Sequence, residues 1–215
     1  MITSYPPDAT VSGSCANFLA RTILSSLHET LGEAFYLSLL NQSGLGEIAL
    51  HVLPDDATRD FPFSKLGVLF ATLEKMAGET VQGGVLQRSG RAWFLSLQRR
   101  SSPSLGIFNA RVLTLPKRLK VKSCGEILAE YFSRYMGIGF LVESSPQMLQ
   151  WGFEFPYPEH RSLIGKSLAN LWLGFWSELL YTLSGGKPYL LRLTAPLEEG
   201  QPIWMIYIPF LPFEG

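Results

Sequence analysis

Cysteine and histidine are scarce in this chain of 215 residues, which has two of the first and three of the second. Cys15 and Cys124 stand far apart, without the spacing of metal ligands, and two cysteines in so long a chain build no disulfide framework. A reducing, cytoplasmic setting is the expectation. His28, His51 and His160 are scattered singly, so neither a metal site nor a metal cofactor is expected. Charge is sparse as well: 17% of residues are charged, against the usual quarter or so. With 47% hydrophobic residues, that excludes a disordered chain and a coiled coil. An uninterrupted apolar run of membrane-span length is missing. The nearest candidate, LIGKSLANLWLGFWSELLYTL over 163–183, contains Lys166, Asn170 and Glu178 and reads as a buried core helix. The start, MITSYPPDATVSGS, lacks the basic and apolar regions of a signal peptide. It is expected to be a flexible leader over 1–14, followed by a single domain over 15–215.

Positive charge is absent in net terms but not locally. Lys plus Arg and Asp plus Glu both number 18, which argues at first against a nucleic-acid partner. Residues 1–79 nevertheless balance to −5, residues 80–123 to +9 with no acidic side chain, and residues 124–215 to −4. The basic block holds Arg88, Arg91, Arg99, Arg100, Arg111, Lys117, Arg118, Lys120 and Lys122. Three readings fit it: a solvated face paired with the acidic flanks, an anionic membrane surface, or an acidic protein partner. Nucleic acid ranks last, because no recognised binding motif accompanies the charge.

Apolar periodicity outlines the elements. Phe18, Leu19, Ile23, Leu24, Leu27 and Leu31 recur at helical spacing before Gly32, and a second helix is expected over 33–41. HVLPDDATRDFP is a loop, and Phe63 to Met76 a further helix. Gly83-Gly84 opens another that runs to Arg100, with SSPSLG as the next loop. A helix follows in the later part of 115–136. Strands over 138–143 and 148–155 form a hairpin about SSPQ. The long helix 162–183 and two strands, 189–194 and 203–208, complete the order. A helical first half packed on an antiparallel sheet of about four strands is an α+β fold.

Few motifs suggest catalysis. Gly165-Lys166-Ser167 resembles the end of a phosphate-binding loop, but His160 stands where the opening glycine is needed. Ser184 and Lys187 have the spacing of a serine-lysine pair, yet sit in a turn. Aromatics, at 13%, are the abundant class. Trp172, Phe175 and Trp176 share the long helix, Trp151 and Phe153 alternate on a strand, and Trp93 and Phe94 lie on the basic helix. They suit a core, and they also suit the lining of a flat or elongated ligand, with Gly165, Ala169 and Gly174 leaving the space. His160 would then supply a ring nitrogen to a polar group of that ligand.

The runs RTILSSLHETLGEAFYLSLLNQSGL (21–45), FPFSKLGVLFATLEKMAG (61–78), RSGRAWF (88–94) and SGGKPYLLRLT (184–194) are similar, in order and spacing, to the bacterial 4-vinyl-reductase domain family. That resemblance covers about 18–208 and implies the fold of the small TRAPP vesicle-tethering subunits. It further implies dimerisation through helices and an internal hydrophobic pocket, in a family linked to tetrapyrroles, aromatic effectors and acyl chains. Many members carry a cysteine pattern that this chain lacks: Gly200 and Pro202 match, but Pro196 and Trp204 take the cysteine places. No zinc is expected.

The function expected is a non-enzymatic, homodimeric domain binding a small hydrophobic ligand in an internal pocket. Its lining would be Trp93, Phe94, Trp151, Phe153, His160, Trp172, Phe175 and Trp176. The alternative is an assembly subunit acting through the dimer, the basic segment 88–122 and the apolar tail IPFLPFEG.

Overall fold

The structure is a computed structural model that describes residues 2–6, 13–50, 53–155, 158–195 and 204–212. Its elements run, in chain order, β1 (Ile2–Tyr5), β2 (Ser14–Cys15), α1 (Asn17–Leu31), α2 (Glu33–Gln42), α3 (Glu47–Leu50), β3 (Phe61–Pro62), α4 (Phe63–Ala77), α5 (Glu79–Leu105), α6 (Ala110–Leu113), α7 (Lys117–Met136), β4 (Gly139–Ser144), β5 (Met148–Glu154), α8 (Pro158–Leu183), β6 (Arg192–Thr194) and β7 (Trp204–Pro209). The α+β expectation holds: helices come first, then an antiparallel sheet interrupted by α8.

The main sheet has five strands in the order β1-β4-β5-β7-β6, one more than expected. The extra strand lies within the segment read as a flexible leader. Ile2–Tyr5 pairs antiparallel with β4, Ile2 opposite Glu143 and Tyr5 opposite Phe140. The first residues are therefore anchored by backbone pairing. β2 and β3 make a separate two-stranded ribbon.

Alternation along the strands sets the layers. Leu149, Trp151 and Phe153 of β5, with Ile206 and Ile208 of β7, are buried against the helices. Met148, Met205, Tyr207 and Pro209 face the other way and are half-buried. α7 and α8 pack on the sheet's inner face, and α5 packs on α8 with α1 and α4 outside it. Two ion pairs fasten α5 to its surroundings, Lys166 to Glu79 and Arg100 to Asp55.

α5 departs most from expectation. It starts at Glu79 rather than at the glycine pair, and it continues through SSPSL to Leu105. It ends at Gly106, whose φ of 73° lies in the left-handed region that glycine adopts at low cost. The glycine pair sits inside the helix, with Gly83 near the Asn170 side chain of α8. Packing on α8 outweighs the low helix propensity of two glycines.

Candidate functional site

The aromatic residues singled out from the sequence do come together, as a packed cluster. Trp172 is at its centre, with ring centroids 4.7 Å from Trp93, 4.9 Å from Trp151, 4.5 Å from Phe132 and 5.3 Å from Phe175. Trp176 stands 5.6 Å from Trp151, and Phe94 5.3 Å from Phe175. Most of these pairs are edge-on, the arrangement that ring quadrupoles favour. All six of Trp93, Phe94, Trp151, Trp172, Phe175 and Trp176 have no exposed surface. Phe153 is equally buried and borders a cleft of about 130 Å³ with Phe140, Ser4, Leu141 and Glu154. Backbone placement puts His160 in the first turn of α8, but its side chain lies outside the described residues, as does His51.

The small residues expected to leave room are themselves packed. A Cβ at Gly165 would strike the Trp204 indole, and one at Gly174 the Gln87 backbone of α5. Ala169 is fully buried. The expected internal pocket is thus corrected to a filled core.

Polar groups inside this core are few and neutral. Among the described residues, the buried polar side chains are Asn17, Thr22, Ser26, Gln82, Ser89, Ser133 and Ser167, none of them charged. Trp93 Nε1 donates to Thr22 Oγ1 at 3.0 Å, and Trp151 Nε1 to the Gly125 carbonyl at 3.2 Å. Gln82 donates to the Phe70 carbonyl at 2.8 Å and to Ser167 Oγ at 3.2 Å. Trp172 Nε1, Trp176 Nε1 and Ser89 Oγ have no hydrogen-bond partner. Burial pushes the thiols of Cys15 and Cys124 up to about 12, so both stay protonated.

A separate groove lies on the opposite side of the sheet. It encloses about 610 Å³ and is lined by Met148, Leu190, Arg192, Thr194, Tyr207, Pro209, Leu211 and Pro212. Arg192 and Tyr207 are register partners across β6 and β7, so their side chains emerge side by side on that face. Arg192 has no ion-pair partner among the described residues. Sequence reading passed over this surface because its residues are the alternate, solvent-side positions of the strands. The one available signal was an arginine opposite a tyrosine on apolar strands.

Compared by sequence, the chain matches no family model and no curated protein. Compared by structure, it resembles solved domains over nearly its full length. A crystal structure of an oxygen-binding H-NOX domain related to soluble guanylate cyclases covers 93% of this chain and 99% of its own, with a TM-score of 0.57 and 12% identity. The Fe(II) unliganded A71G mutant of the H-NOX protein from K. algicida covers 90% of this chain and 96% of its own, with a TM-score of 0.57 and 13% identity. An H-NOX structure concerned with heme distortion reaches a TM-score of 0.59, with 12% identity. The chain has the fold of H-NOX domains. These findings correct the resemblance to the 4-vinyl-reductase family and the TRAPP subunits. At 12–13% identity the H-NOX likeness fixes the fold and no more.

One of these neighbours concerns heme distortion, and a heme makes definite demands on the residues around it. An iron porphyrin needs a flat slot, an axial lone-pair donor and cations for its carboxylates. The interior is packed by the cluster around Trp172. The described histidine, His28, is exposed at the end of α1 and stacks on Tyr36 at 4.9 Å. The unpartnered indoles are donors only and cannot ligate iron. Among the described residues no cationic side chain is buried as a whole, and Arg59, whose Nε is buried, lies beside Gly137 and Cys15. The described residues do not fit a heme.

Proposed function

We propose that this chain is a small-ligand-binding domain on the H-NOX fold, with its site in the groove across the outer face of the sheet. The ligand has an apolar body and one anionic group. The observation that carries the reading is Arg192, set beside Tyr207 in an otherwise largely apolar groove, with its guanidinium unpaired among the described residues. A guanidinium fork with an adjacent phenol offers paired donors to a carboxylate or sulfonate. Met148, Leu190, Pro209, Leu211 and Pro212 offer the apolar wall. A volume of about 610 Å³ suits a small organic ligand. The neighbours lend support at the coarse level, since one is an oxygen-binding domain and another concerns heme.

Titration with anilinonaphthalene sulfonate, followed by fluorescence and competed with decanoate, tests the reading. Saturable binding is expected, weakened about tenfold or more by Arg192→Gln, the usual range for a lost hydrogen bond to a charged group. Trp172→Phe, within the core, is expected to leave the affinity unchanged. Absence of saturable binding, or indifference to the arginine, would overturn the proposal.

A further inference from the structure

The basic block resolves into separate parts. Arg100 is paired with Asp55, and Lys122 lies 3.7 Å from Glu126. Arg88, Arg91 and Arg99 line the exposed side of α5. Arg111, Lys117, Arg118 and Lys120 converge on the short corner formed by α6 and the start of α7, and none has an ion-pair partner among the described residues. The sequence holds no carboxylate between Glu79 and Glu126 to neutralise them.

Two large apolar side chains are exposed at the same corner. Leu113 is 41% exposed and Leu119 48%, in a chain whose other leucines are mostly buried. Arg118 fixes the corner to the sheet, donating to the Ser145 carbonyl at 3.2 Å and standing 5.5 Å from the centre of the Phe210 ring. Lys117, Arg118 and Lys120 also occupy the first turn of a 20-residue helix with no acidic residue there and no side-chain cap. That end of a helix disfavours positive charge, so nothing local to the helix accounts for three cations in its opening turn.

We infer that the α6–α7 corner docks on an anionic lipid surface, with Leu113 and Leu119 entering the interface and Arg111, Lys117 and Lys120 facing lipid headgroups. Charge complementarity selects an anionic partner. The leucines select a lipid surface over an acidic peptide, because they stand exposed among the cations. No helix among the described residues is long and apolar enough to cross a membrane, so contact of this kind is peripheral. The inference does not depend on the groove's ligand, and its test uses none.

The full chain is mixed with vesicles of phosphatidylcholine alone, or of phosphatidylcholine with phosphatidylserine, and sedimented over a salt series. Binding is expected to the mixed vesicles only, and to fall as salt rises. Lys117→Glu with Lys120→Glu is expected to lower it at least about tenfold. Leu119→Ala is expected to weaken it at every salt concentration, which a purely ionic contact would not show. The paired Lys→Gln variants, checked by circular dichroism, guard against a folding defect and are expected to weaken binding in the same direction. No binding to mixed vesicles, or binding that survives the charge reversal, overturns the inference. So does equal binding to polyglutamate with no effect of Leu119→Ala, which would point to an acidic protein instead.

Discussion

Gly90 of α5 lies against the main-chain carbonyl of Leu171 on α8, so closely that a Cβ at position 90 would fall inside its contact distance. Gly174 of α8 makes the reciprocal approach to the Gln87 carbonyl of α5. The two long helices therefore touch backbone to backbone, and their side chains are displaced to either side. Gly90→Ala or Gly174→Ala gains about 1 kcal/mol in helix propensity but forces the helices apart, at a cost of about 1–3 kcal/mol or more. A net loss in stability is expected from each. Gly84, in the same helix, has open space at its Cβ position, and Gly84→Ala is expected to stabilise by about 1 kcal/mol. Thermal unfolding of the three variants checks this. A rise in melting temperature for Gly90→Ala would disprove the contact.

Thr22 and Trp93 tie α1 to α5 through a buried hydrogen bond of 3.0 Å. Thr22→Val keeps the side-chain shape and leaves the indole N–H without an acceptor. A loss of about 1–3 kcal/mol is expected, read by urea unfolding. A neutral result would mean that the indole finds another acceptor.

Hemin added to the purified chain is expected to give no stoichiometric, axially ligated Soret band. The interior is filled, and His28 points away from it. A saturating one-to-one spectrum that persists through gel filtration would show that the core opens.

The two thiols make a prediction with a definite sign. Their values in the folded chain, about 12, lie above the reference of 9.0. Well below pH 9 both states hold the protons and the thiols are indifferent to pH. Above it the unfolded chain releases them first, so stability falls with rising pH by about 1.4 kcal/mol per unit for each thiol, up to the folded value. Urea unfolding at pH 7, 8 and 10 is expected to show almost no thiol-linked change over the first step and a drop over the second. In the native state neither cysteine is expected to react with a thiol reagent at pH 8.

The first helices, α4 and α8 were legible because each carries a sustained apolar face closed by glycine or a turn. α5 is longer than expected at both ends, since Gly83, Gly84 and Pro103 are breakers by propensity, and packing on α8 overrides the two glycines. β1 was missed because four residues of mixed polarity have no pattern of their own, and their partner β4 is more than 130 positions away. The aromatic set packs into one cluster, but sequence cannot tell a lining from a filling. That difference rests on Trp204 occupying the space at Gly165 and on α5 occupying the space at Gly174. The groove escaped notice because its parts, Met148, Arg192 and Tyr207, are remote in sequence and adjacent only after β6 and β7 pair.

The pairing of Ile2–Tyr5 with β4 has a consequence for solution behaviour. A six-residue strand with free amides and carbonyls is a template onto which another chain can add. Covering it with β1 transfers the open edge to a strand of four residues, and the opposite edge, β6, has only three. β4 is thereby kept away from intermolecular β-pairing, and removing the first residues would restore a full-length template for aggregation.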